Sequence, residues 1–217
     1  AISQNLLLRF VPEEALGGLY EALLEAGLAL PEAHTLLDIT RCPGADTCNL
    51  AITRSRGLAQ ALEAHLSALP LAQDPGAKAI GVKISGCPNS CGQHHIADIG
   101  FYGSSRKVGE REVPHYVLLL GGRTREGEAR FGQVVGRIPA RRVPEAVERI
   151  LKRYLEERQN GESFQAYLDR VGAASFKPLL QDLQEVPPYE EAPEFYQDLG
   201  AEGEAFSVQL GRGECAV

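Results

Sequence analysis

Cys42 and Cys48 in RCPGADTC, and Cys87 and Cys91 in GCPNSC, make two short-spaced thiol pairs, C-x5-C and C-x3-C. Soft thiolates grouped in twos, within an otherwise ordinary globular sequence, suit a metal centre better than a disulfide framework. Structural zinc would accept four thiolates, but its pairs are usually C-x2-C on tight knuckles. A [4Fe-4S] cluster accepts wider and more varied spacing. Four merely structural thiols are the weakest reading, since chance burial does not place cysteines in two turns flanked by glycine and proline.

Certain elements must position these thiols. With Pro88 at the first position of a helix, the sulfurs of Cys87 and Cys91 would lie near its N-cap and one turn above, on the same side. Cys48 stands in a similar place, before a helix expected from Asn49 to Leu69 with Leu58, Leu62, Leu66 and Leu69 on one face. A helix N-terminus offers free amides and partial positive charge, which stabilise thiolate and cluster charge. Strands are expected at Asn5 to Phe10, Thr35 to Thr40, Lys78 to Ser85, Ile96 to Tyr102, Val113 to Leu120 and Gln133 to Ile138. Further helices are expected at Pro12 to Leu28 and Val143 to Leu155, with two short ones within Ser163 to Leu183. Alternating strands and helices predict an α/β (α+β) fold, a mixed sheet with flanking helices.

The segments ISGCPNSCGQHHIADIGFYG, Ile84 to Gly103, and TRCPGADTCNLAI, Thr40 to Ile52, closely resemble the cluster-binding part of the sirohaem-containing nitrite and sulfite reductases. The paired spacing with CPNSC and ADIGF is a specific signature, where a lone C-x3-C would not be. The resemblance implies that Cys42, Cys48, Cys87 and Cys91 bind a [4Fe-4S] cluster, and that the Cys91 sulfur also bridges to the sirohaem iron. It further implies a six-electron reduction of nitrite to ammonia or sulfite to sulfide, with electrons from ferredoxin or a similar small donor. Sirohaem carries many carboxylates, and Asn89, Ser90, Gln93, Arg41, Arg54 and Lys83 are the nearby groups that could meet them. Their other reading is turn chemistry and solvated surface. The resemblance is strongest over 35–138. It divides the chain into 1–34, the end of a ferredoxin-like half-domain, 35–158, the cluster and sirohaem domain, and 159–217, C-terminal helices and an acidic extended tail.

The family also has a large N-terminal half whose Arg and Lys residues grip the anion, and nothing here matches them. The missing half is therefore an expected partner, and this piece alone is expected to be inactive, with either cofactor liable to be absent from it. Two other classes stay open: a zinc-stabilised structural or regulatory module, and a standalone iron-sulfur electron-transfer protein. His94 and His95, on an expected incoming strand, would point to opposite faces, so packing or hydrogen bonding suits them better than ligation. Gly100 and Gly103 are expected to allow close backbone approach. Cys215, three residues from the end, receives no metal role.

Composition bounds the rest. At 217 residues and 44% hydrophobic content the chain can bury a real core. No methionine occurs, so a processed or truncated piece of something longer is expected. No apolar run approaches the roughly 20 residues that span a bilayer and no signal peptide opens the chain, so a cytoplasmic setting without membrane is expected. Neither composition nor motif calls for nucleic acid. Of the net charge of -7, eight acids lie between Gln181 and Ala205, where there is no Lys or Arg. The remainder is near balance and favours Arg over Lys. A guanidinium fork suits oxyanions, so only the arginines near the cysteines are expected to serve a site.

Overall fold

The computed structural model describes residues 2–124 and 127–208. Five strands make one mixed sheet in the order β1 (Thr40–Arg41), β2 (Val82–Ser85), β3 (Ile99–Val108), β4 (Arg111–Leu120), β5 (Gln133–Pro139). β1, β2 and β3 are parallel neighbours, while β3, β4 and β5 run antiparallel. A two-residue turn with Gly109 at φ 59° joins β3 to β4, the left-handed conformation that such a hairpin requires. The expected mixed sheet with flanking helices is the fold observed.

The helices are α1 (Leu16–Glu25), α2 (Ser55–Ser67), α3 (Pro75–Lys78), α4 (Val143–Glu157) and α5 (Phe164–Val171). α2 buries Leu58, Leu62 and Leu66, and α4 buries Val143, Ala146, Val147, Ile150, Leu151 and Tyr154. Both stripes join Ile84, Ile99, Phe101, Leu118 and Leu120 of the sheet in one core. At roughly 1.5–3 kcal/mol for each large apolar side chain fully buried, these stripes rather than helix propensity hold the elements down.

Several boundaries depart from the sequence pattern. No strand forms at 5–10, because no neighbouring strand receives that run and Leu6, Leu7 and Phe10 stay exposed. The strand expected from Thr35 shrinks to Thr40–Arg41: the Thr35 amide donates to Glu32 and the Asp38 amide to Thr35, so turns occupy those residues. One α-helix rather than two occupies 163–183, followed by 3-10 turns at Ala173–Phe176, Pro178–Leu180 and Asp182–Gln184. From Glu185 to Val208 there is no α-helix or strand, but the chain makes a 3-10 turn at Pro193–Tyr196 and buries Ala192, Tyr196, Asp198 and Leu199. Core arginines pin this stretch: Arg141 Nε donates to the Glu194 carbonyl at 3.2 Å, and Arg111 lies over the Tyr189 ring at 3.8 Å. Cys215 lies outside the described residues.

Along the first thirty residues Ile2, Leu6, Leu7, Phe10, Leu16, Tyr20, Leu24, Leu28 and Leu30 are all more than half exposed, Phe10 to 90%. No residue of α1 is buried.

Candidate metal centre

Both thiol pairs leave the sheet from the C-terminal ends of adjacent parallel strands. Arg41 pairs with Ile84, and the Cys42 amide donates to the Ile84 carbonyl at 3.1 Å. Cys42 therefore follows β1 directly, while Cys87 lies one residue beyond Gly86 at the end of β2. The loops are stitched together: the Ile52 and Thr53 amides both donate to the Gly86 carbonyl, at 2.8 and 3.0 Å. A Cβ on Gly86 would stand 2.6 Å from the Thr53 carbonyl, and one on Gly44 would stand 2.5 Å from the Ser55 amide. Only hydrogen fits at either position, so glycine is what lets the two loops close on each other.

These loops correct two expectations about helices. α2 begins at Ser55 rather than Asn49, so Cys48 is not at its N-terminus; the amides of residues 51 to 53 are engaged by Cys48 and Gly86 carbonyls instead. No helix starts at Pro88 either. Cys87 to Gln93 is a run of turns in which Ser90 and Gln93 take φ of 62° and 61°, the left-handed region that breaks a helix.

Cys87 lies within electrostatic reach of the other three thiols. Burial pushes the Cys87 thiol up, the Asn89 amide pulls it down, and Cys42, Cys91 and Cys48 each push it up again. Amides already point at sulfur: Gly86 N–H donates to Cys42 Sγ at 3.1 Å. Such donors stabilise thiolate and tune the potential of a cluster. Ser55, which the sequence did not single out, donates from Oγ to the Cys42 carbonyl at 2.6 Å and lies 3.4 Å from its sulfur. Exposure is uneven: Cys42 and Cys87 are buried, Cys48 is half-buried and Cys91 is exposed. Among the described residues no three His, Cys, Asp or Glu side chains close on one point as a single ion demands.

The surrounding polar residues take separate places. Lys83 Nζ donates to Gln93 Oε1 at 3.1 Å, and burial holds its ammonium below the usual range, with Asp38 opposing. Asn89 is exposed and Ser90 half-buried. Arg41 is drawn to the Ile39 carbonyl at 3.0 Å and to Glu63 at 3.8 Å. Arg54 reaches the tail, donating to the Gly200 carbonyl at 3.0 Å, with Asp46 at 3.6 Å.

His94 and His95 lie in a 3-10 turn, His94–Ile96, not on a strand, and their rings are 4.1 Å apart rather than on opposite faces. His94 is fully buried, with Nδ1 2.8 Å from Ser85 Oγ, which also accepts from the Gly92 amide. It packs and hydrogen-bonds. Gly100 and Gly103 do mark close approaches: a Cβ would come to 2.0 Å from the His94 carbonyl and 2.1 Å from Thr53 Oγ1 respectively.

With this geometry in view, comparison with known proteins is specific. A family model described as nitrite and sulphite reductase 4Fe-4S domain matches residues 32–186. Sulfite reductase (ferredoxin) 1 of Mycolicibacterium paratuberculosis is 29% identical over 172 residues, covering 77% of this chain and 31% of that protein. The sulfite reductase (NADPH) hemoprotein beta-component of Chromohalobacter salexigens is 30% identical over 171 residues, covering 78% and 28%. Ferredoxin–nitrite reductase of Synechococcus elongatus is 30% identical over 126 residues, covering 56% and 23%. The solved structure of the Mycobacterium tuberculosis NirA protein superposes with a TM-score of 0.62 at 26% identity, covering 74% of this chain and 30% of that one. The match spans about a third or less of each of these relatives.

Proposed function

The chain belongs to the nitrite and sulphite reductase 4Fe-4S domain family, and we propose on that premise that it forms the cluster-bearing part of a reductase of nitrite or sulfite. Cys42, Cys48, Cys87 and Cys91 would hold the [4Fe-4S] cluster, and Cys91 would also link it to the sirohaem. When bound, the two groups would supply one-electron transfers to the anion. The observation that supports this reading is that Cys42, Cys48 and Cys91 all act on Cys87, while Cys42 and Cys87 are buried, Cys48 is half-buried and Cys91 is exposed.

The chain's own residues have defined tasks. The Gly86 and Asn89 amides hold negative charge on Cys42 and Cys87. Lys83, beside Gln93, and Arg41, at the same end of the sheet, offer cations to the haem's carboxylates. Residues 1–34 close a preceding half-domain, and the apolar face around α1 is where the rest of a longer chain packs. That remainder supplies the anion-gripping side chains, so the 217 residues alone bind metal but do not turn over. Residues 35–158 form the cofactor domain and 159–217 its cover. Ferredoxin or a similar small carrier delivers the electrons. Among the described residues no helix is long and apolar enough to cross a membrane.

The test is anaerobic reconstitution followed by iron and sulfide analysis and visible spectroscopy. About four irons and four sulfides per chain are expected, since the cluster formula demands them. A colourless protein with one zinc would overturn the proposal. In the longer enzyme, Cys91→Ser is expected to disturb both cluster and haem spectra, and a change confined to the cluster bands would remove the bridging role.

A further inference from the structure

Next to Cys48 lies a cavity of about 240 Å³ bounded on one side by Cys48, Ile52 and Arg54 and on the other by Asp198, Glu204 and Phe206. The second wall comes from the far end of the chain. We propose that residues 196–207 form a strap that shields the Cys48 side of the metal centre, with Asp198 as the positioning residue that latches it. The shielding role rests on the reading that the four cysteines hold a cluster.

Three observations make the latch. Asp198 is 4% exposed, and both carboxylate oxygens accept from backbone: Oδ2 from the Arg54 amide at 2.7 Å and Oδ1 from the Leu199 amide at 2.9 Å. The Arg54 amide opens the 13-residue helix α2, where the unpaired N–H groups and the helix dipole favour a carboxylate. Outside this contact the Arg54 side chain donates to the Gly200 carbonyl at 3.0 Å and meets Glu204 at 3.4 Å, so one residue grips the strap from both backbone and side chain.

The strap is also fitted to α2 by shape. Gly57 faces it so closely that a Cβ would stand 1.9 Å from the Leu199 carbonyl. Downstream the chain turns back on itself through the Phe206 amide, which donates to the Tyr196 carbonyl at 2.9 Å, and the Val208 amide donates to Glu112 at 2.8 Å. The strap has neither α-helix nor strand of its own. Its hold is the buried Tyr196 and Leu199 side chains together with these polar contacts, a small set that local opening can release while the sheet stays folded.

Asp198→Ala removes the latch, and Gly57→Ala displaces the strap while making α2 a better helix former. In the reconstituted protein both variants are expected to lose iron to a chelator roughly tenfold to a hundredfold faster than the parent, the scale of one lost charge-assisted hydrogen bond. In the metal-free chain, Cys48 alkylation followed by peptide mass should accelerate similarly, while the amides of β3 and β4 keep their parental hydrogen-exchange protection. If Asp198→Ala does not fold, Gly57→Ala decides. Iron release and Cys48 alkylation at parental rates in the folded variants would overturn the strap. A parent that takes up no cluster would overturn the cluster reading instead, and the alkylation rates would still decide whether a strap covers Cys48.

Discussion

Two buried titratable groups, Asp198 and His115, set the pH response at the residue scale. Asp198 is one acid among eight between Gln181 and Ala205 and becomes distinct only when folding carries it to the Arg54 amide. His115 is the second. It is fully buried on β4, with Nδ1 3.0 Å from the Val113 carbonyl and, among the described residues, no partner for Nε2. Burial pulls its imidazole from 6.5 down to about 4; the Val113 carbonyl opposes this, while Arg106 and Arg137 add to it. The folded state thus keeps His115 neutral, so its contribution to stability is complete above pH 6.5 and is lost as pH falls through about 4. Asp198, whose carboxyl burial raises to about 6, slopes the opposite way: its contribution is complete below the ordinary 3.8 and is lost as pH rises through about 6. His115→Asn, which can keep the Val113 contact, is expected to flatten acid destabilisation by up to about 3 kcal/mol. Urea unfolding at neutral and acid pH would read that difference.

At the element scale, periodicity found β3, β4, β5, α1, α2 and α4, because each presents an apolar stripe to the core or a regular apolar repeat. It failed where loops cross. Leucine spacing extends one helix back to Asn49, but the Gly86 carbonyl takes the Ile52 and Thr53 amides, and a long-range hydrogen bond overrides the local pattern. The same crossing explains why glycine is required nearby. A Cβ on Gly103 would collide with Thr53 Oγ1 at 2.1 Å and the Gly86 carbonyl at 2.3 Å, and one on Gly92 with the Ile84 carbonyl at 1.9 Å. Gly103→Ala and Gly92→Ala are each expected to cost about 1–3 kcal/mol or more. A shift of the urea midpoint without a change in slope would show it. The same substitution at Gly17, which meets nothing within 4 Å, should be tolerated.

For the whole molecule, the sequence showed that charge was divided but not what the division does. The acidic end and the arginine-rich body meet: Arg149 Nη1 holds Asp182 at 2.7 Å and Nη2 holds Glu145 at 2.6 Å, Arg141 reaches Glu202 at 3.6 Å, and Arg142 donates to the Asp182 carbonyl at 3.0 Å. These arginines lie away from the cysteines and make surface ion pairs with the chain's own acids. Most of the pairs are partly exposed and individually worth about 0.2–1 kcal/mol. In about 1 M salt, where screening acts beyond about 3 Å, cleavage by protease within 181–208 should rise several-fold while α2 and α4 stay resistant. Peptide mapping of a short digestion would check it.

The Arg54–Asp198 contact joins residues 144 apart in sequence. All four thiols emerge from the ribosome with Cys91, whereas the proposed strap emerges more than a hundred residues later. At about 5–20 residues per second, a chain in synthesis would display Cys48 uncovered for several seconds at least. On that reading the strap can close over Cys48 only after every ligand of the proposed centre is already displayed.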